Sequence, residues 1–210
     1  MFIELVDALR CPVPHEESWL VAAAVRMEAR HIVEGTLGCP VCSAEYPIRN
    51  AVVDFRRNGG SIAAVPVEGD PQQAMRLAAL LDLADAQGFA VLLGAWGAHA
   101  HELASIVETP LVLVDPPAGI VGAPGVSVLR CDGDVPLAAG AARAMALDVA
   151  DAARVASAVR ATRAKGRVLA LVSVPLPAEV TELVRDETMW VGERSVPASP
   201  LVSLHVRRST

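Results

Sequence analysis

Cys39 and Cys42, in Cys39-Pro40-Val41-Cys42, have the two-residue spacing of a metal knuckle. A structural zinc ion takes four sulfur or nitrogen ligands in a tetrahedron. Cys11-Pro12-Val13-Pro14-His15 lies upstream to complete such a set. A second knuckle of the same spacing would put cysteine at position 14, where Pro14 stands. His15, one residue further on, is the substitute, so Cys11, His15, Cys39 and Cys42 are expected to hold one zinc ion. The competing reading is a ribbon without metal, in which His15 is a solvated turn residue. A redox pair fits less well, because Cys39 and Cys42 do not open a helix after a strand as thioredoxin-like cysteines do. Cys131 is expected to be a small buried residue, and His31 a surface imidazole on a strand.

The composition bounds what can position these groups. The chain has 210 residues, enough for a medium domain and a small appendage, and its net charge is -6. Its hydrophobic share of 53% with only 3% aromatics suits Ala-rich helices packed closely on a Val/Leu sheet. The negative balance argues against a general nucleic-acid surface, which needs clustered Lys and Arg. Arg56-Arg57 and Arg207-Arg208 read as solvated strand ends. No apolar run reaches bilayer length, and Asp82 and Asp85 interrupt an apolar helical stretch, so no membrane span is expected. The start of the chain lacks a basic region and cleavage site, and its four cysteines suit reduced thiols or metal ligands. The expected location is cytoplasmic.

Periodicity divides the chain. Residues 1–56 read as a small β unit, with a short helix over 3–9 and strands over 19–29, 31–37 and 46–55. So small a unit buries little apolar area, and a metal staple would help it fold. Residues 57–69 read as a linker around Arg57-Asn58-Gly59-Gly60-Ser61. Residues 70–210 form the larger unit. A helix opens on Asp70-Pro71 and stops by Gly88. Strands are expected over 89–93, 111–114, 126–129, 143–147 and 167–174. Helices are expected over 98–107, 149–164 and 177–184, and an antiparallel pair over 189–193 and 201–206. The alternation predicts a parallel sheet with helices on both faces and ligands at the carboxyl ends of its strands.

Two resemblances build on these residues. Cys11-Pro12, the Cys39–Cys42 knuckle and Tyr46-Pro47-Ile48-Arg49-Asn50 resemble the small zinc-ribbon family that activates methyltransferases, in its bacterial Tyr-Pro-Ile form. That resemblance implies a stabilising partner of a methyltransferase, not a catalyst. Residues 70–210 resemble the S-adenosylmethionine-dependent methyltransferases. Together they imply an α/β fold: a Rossmann-like, seven-stranded methyltransferase-type sheet with a small N-terminal zinc-ribbon-like β domain. The second resemblance further implies that Gly94 and Gly97 line the methionine end of the cofactor, that Asp115 holds the ribose and that Asp132 lies near the adenine. Read without it, Asp115 caps a helix or turn, and Asp132 and Asp134 are ordinary turn carboxylates.

The chain departs from that pattern in places. Leu92 stands at the acidic position and Trp96 where glycine is common. Residues 145–151 hold no Asn-Pro-Pro-Tyr or Pro-Cys motif, and Asp115-Pro116-Pro117 follows the wrong strand. Asp148 reads as a helix cap or a base. His99 and His101 flank the glycine turn, but residues two apart on a helix do not share a face. No catalytic residue is assigned. The expected protein is therefore a catalytically degenerate methyltransferase-like chain with a zinc ribbon. It would act as a binding or scaffolding module with a protein partner or as a homo-oligomer. The alternative is an active S-adenosylmethionine-dependent methyltransferase of unknown acceptor, and a third reading is a binder of some other nucleotide or small molecule.

Overall fold

The computed structural model describes residues 1–56 and 68–196. The expected strand at 201–206, Arg207-Arg208 and most of the expected 57–69 linker lie outside the described residues.

The first stretch is a 3₁₀ turn over Ile3–Ala8 followed by an antiparallel meander. Its strands are β1 (Val21–Glu28), β2 (His31–Gly38), β3 (Glu45–Arg49) and β4 (Val52–Asp54). The single strand expected over 46–55 is split, because Asn50 and Ala51 turn the chain with φ of 50° and 63°. Asn tolerates this left-handed region better than most residues.

The second stretch opens with α1 (Pro71–Leu80), as the sequence predicts: the Asp70 carboxylate accepts from the Gln72 amide at 2.9 Å. Next come β5 (Ala90–Leu93), a 3₁₀ turn over Gly94–His99 and α2 (Ala100–Ala104). Then follow β6 (Leu111–Val114), β7 (Val126–Arg130), β8 (Ala142–Leu147) and α3 (Ala152–Ala161). The chain continues with β9 (Thr162–Leu171), β10 (Val180–Arg185) and β11 (Met189–Arg194). The helix expected over 149–164 is shorter, because Asp151 caps it by accepting from the Arg154 amide at 2.8 Å and Thr162 already opens β9. The helix expected over 177–184 is instead β10. Its β-branched Val180, Thr181 and Val184 suit a strand, and it pairs antiparallel with β11. β11 in turn lies antiparallel to β9.

Among the described residues all strands belong to one 11-stranded mixed sheet, in the order β1-β2-β3-β4-β7-β6-β5-β8-β9-β11-β10. The expectation of seven strands is corrected. β4 pairs parallel with β7, Val53 opposite Leu129, so the strands of residues 1–56 extend the larger sheet instead of standing apart. In the parallel run β4-β7-β6-β5-β8-β9 the central strands β7, β6, β5 and β8 are buried on both faces, as parallel strands require. Successive side chains alternate between the faces. Leu92, Leu113 and Ala146 pack with α1 and α2 on one side. Leu93, Val114 and Leu147 face the other, in an apolar cluster that runs from Met1 and Leu37 to Ala158 of α3 and Trp190.

Both margins of the sheet are irregular. β1 slips register on either side of Arg26, leaving Val25 82% exposed, and β10 slips between Glu182 and Val184. Among the described residues no helix is long and apolar enough to cross a membrane.

Candidate metal centre and sheet crevice

Cys11 opens a loop whose ends are tied where its amide donates to the Ser18 carbonyl at 3.1 Å. His15 lies within that loop. Cys39 follows β2 directly, and its amide donates to the Ala44 carbonyl at 2.9 Å, closing the knuckle that carries Cys42. Local geometry helps the closure, since Ser43 takes a φ of 58°. The two loops meet. One ligand atom from each of Cys11, His15, Cys39 and Cys42 lies within 4.8 Å of all the others.

The separations suit a tetrahedral zinc site. With Zn–S near 2.3 Å and Zn–N near 2.0 Å, a tetrahedron's edges are about 3.8 Å between sulfurs and about 3.5 Å between sulfur and nitrogen. Cys11 Sγ is 3.7 Å from Cys42 Sγ, and Cys39 Sγ is 3.4 Å from His15 Nε2. His15 Nδ1 bonds the Glu16 carbonyl, so Nδ1 carries the proton and Nε2 keeps its lone pair for the ion. Tyr46, on β3, places its hydroxyl 3.2 Å from Cys11 Sγ. Burial alone would push the Cys39 thiol up. The amides of Cys42 and Val41, with the neighbouring thiols, outweigh it and bring Cys39 to about 6. Burial raises Cys11, and burial followed by the Cys11 contact raises Tyr46. The donor set fits zinc.

The strand ends expected to hold a nucleoside look different. Gly94 does follow β5, with φ of 63°, but a methyl group there would lie 3.0 Å from the Asp148 carbonyl oxygen. A methyl group on Gly97 would lie 2.6 Å from Pro116 Cβ. Trp96 is buried in the apolar cluster under α1 and α2, and its Nε1 donates to the Leu147 carbonyl at 3.0 Å. The Asp148 carboxylate accepts from the Ala95 amide at 3.0 Å, and it is Asp151, not Asp148, that caps α3. The ends of β5, β6 and β8 thus pack against one another. Asp115 ends β6, accepts from the Cys131 amide at 3.0 Å and forms an ion pair with Arg154 of α3. Its carboxylate is committed within the protein, so these residues do not fit an S-adenosylmethionine ribose as they stand. His99 accepts from the Asp70 amide at 3.0 Å through Nδ1, whereas His101 is exposed.

Asp132 stands apart from the glycines. It faces a cleft of about 600 Å³ at the carboxyl ends of β4 and β7, with Tyr46, Asp54, Phe55, Arg56 and Asp134 also in the walls. Arg56 grips Asp54 with two donors at 2.8 Å each.

The sequence matches no protein-family model and no curated protein. Solved structures do resemble the chain. A geranyl diphosphate methyltransferase in complex with S-adenosylmethionine matches at 16% identity over 48% of this chain and 48% of that one, with a TM-score of 0.38. The same kind of enzyme with geranyl diphosphate and sinefungin matches at 17% identity, covering 48% of this chain and 43% of that one, TM-score 0.38. A Methanococcus maripaludis protein named as an S-adenosyl-L-methionine-dependent methyltransferase matches at 9% identity over 62% of this chain and 87% of that one, TM-score 0.43. The chain spans about half the length of the geranyl diphosphate methyltransferases it matches.

Two features escaped the sequence reading. The hydroxyl of Tyr46 lies against the Cys/His cluster, although only its place in the Tyr-Pro-Ile motif was visible. Arg154 neutralises Asp115 from 39 residues away, a pairing no local pattern signals. Cys131, expected to be buried, is so, and burial followed by the Asp115 charge pushes its thiol up to about 12. Such a thiol is inert. His31 is half-buried, its Nε2 accepting from the Gly125 amide at 3.2 Å.

Proposed function

We propose that this chain is a zinc-ribbon protein on a methyltransferase-type sheet that works by binding and does not catalyse methyl transfer. The observation that carries the reading is the closed end of β5 and β6. Asp115 is held by Arg154, Gly97 rests on Pro116, and Trp96 fills the interior beside Leu147. A methyltransferase needs that crevice open so that cofactor and acceptor meet in line. The antiparallel hairpin of β10 and β11 beyond a parallel run supports the sheet type, although it is not the pair expected over 189–193 and 201–206, whose second strand lies outside the described residues.

Zinc at Cys11, His15, Cys39 and Cys42 would be structural. Four protein ligands fill the tetrahedron and leave no position for water or substrate. The ion would fasten the Cys11 loop to the β2–β3 knuckle.

A second reading, an active S-adenosylmethionine-dependent methyltransferase, draws on the open cleft beside Asp132. Calorimetric titration of the zinc-loaded chain with S-adenosylmethionine separates the two. The expected result is no saturable heat at millimolar ligand. Saturable heat that Asp132→Asn abolishes would establish the second reading and end the first.

A further inference from the structure

A second cleft of about 440 Å³ is walled on one side by the metal loop itself, Cys11 and His15 included, with Arg10, Glu17, Asp134 and Arg160 as its charged walls. Arg10 is buried, its side chain only 8% exposed. One of its terminal nitrogens donates to the carbonyls of Leu9 at 2.8 Å and Asp7 at 3.3 Å. Its guanidinium carbon lies 3.5 Å from the centre of the Trp19 ring. Arg10 Nε, however, is buried without a hydrogen-bond partner. Leaving a charged donor dry and unpaired is costly, so such a group marks a place where an acceptor belongs.

The acceptor nearest to hand does not satisfy it. Glu17 Oε1 lies 3.8 Å from Arg10 Nε and 3.8 Å from Arg160 Nη1. Those are ion-pair separations, too long for hydrogen bonds. Glu17 is more than half exposed, free to swing out, and Arg160 reaches in from the end of α3. One carboxylate thus hovers between two guanidiniums and bonds to neither.

We infer that this cleft binds a small organic oxyanion, a carboxylate or phosphate group, between Arg10 and Arg160, and that Glu17 is the internal group it displaces. Planar guanidinium forks favour both kinds of oxyanion. The cleft's volume lies in the range of small-molecule sites. The inference stands apart from the methyltransferase reading, since none of these residues belongs to the β5–β6 crevice.

The test uses the full zinc-loaded chain at constant ionic strength, titrated with inorganic phosphate and, separately, with succinate. Trp19 reports the site by fluorescence, because it lies on Arg10 and is exposed, whereas Trp96 and Trp190 are buried. Saturation by either anion supports the inference, and the tighter one names the group. Glu17→Gln should tighten binding roughly fivefold, the scale of one screened charge pair. Arg160→Ala, an exposed substitution, should weaken it about tenfold, as for a lost charged hydrogen bond. Zinc content is measured alongside. The inference is overturned if neither anion saturates the Glu17→Gln protein, if chloride gives the same response, or if Arg160→Ala binds as tightly as the parent.

Discussion

His15 can serve the metal cluster because its two ring nitrogens have different jobs: Nδ1 bonds the Glu16 carbonyl while Nε2 faces Cys39. Removing the ring should leave a three-sulfur remnant. His15→Ala is expected to lose zinc to a chelator far faster than the parent, and Cys39→Ser to hold none after purification, both read by elemental analysis. Tyr46→Phe is the finer probe. It keeps all four ligands but removes the hydroxyl beside Cys11, and should lower zinc affinity about tenfold, as outer partners of metal ligands do. Protein that stays folded and metal-free in its parent form would refute the four-ligand centre. The gathering of these four residues was legible because cysteine spacing is a local signal, and because the proline at position 14 left His15 as the near substitute. The fate of Asp115 was not legible. Its place at a strand end could be read from the sequence, but whether its carboxylate stays free depends on a helix that arrives 39 residues later.

Elements were legible where the pattern was long or capped. The Asp70-Pro71 start of α1 and the apolar runs of β5, β6 and β7 follow from local sequence alone. The segment at 177–184 was misread because its short mix of apolar residues with Glu179 and Glu182 can be read as helix, whereas its β-branched residues and its pairing with β11 make it a strand. The turn that joins β10 and β11 carries its own test. Asp186 accepts from the amides of Thr188 at 2.7 Å and Met189 at 2.9 Å, and it also meets Arg76 of α1. Those amides, followed by the Thr188 hydroxyl and Arg76, hold its carboxyl well below the ordinary range. A carboxyl depressed in the folded state adds stability above its unfolded value of about 3.9, and that stability drains away as the pH falls through the window beneath it. Asp186→Asn should therefore lower the melting temperature slightly at pH 7 and leave it unchanged at the acid end, where the parent has already lost the contribution. A difference that persists undiminished into acid would dismiss this account.

At the scale of the whole molecule, the pairing of β4 with β7 was invisible in the sequence. β4 has only three residues, and its partner lies more than 70 positions away. That contact makes the metal loops and the α/β layers parts of one sheet over a shared apolar cluster. Stripping zinc with a chelator should accordingly lower a single calorimetric transition. A ligand present at about a thousand times its dissociation constant adds roughly 4 kcal/mol, which for a chain of this size is a shift on the order of 10 °C. Two separate transitions, only one of them sensitive to chelation, would mean that the ribbon melts by itself.

The slipped registers of β1 and β10 have their own outcome. A broad sheet invites copies of itself to stack edge against edge, and a regular outer strand would template that growth. Here the extra residue at Val25 and the offset before Val184 leave each outer ladder out of step with any straight incoming strand. Among the described residues, these two irregularities work against edge-to-edge growth of so wide a sheet into a fibre.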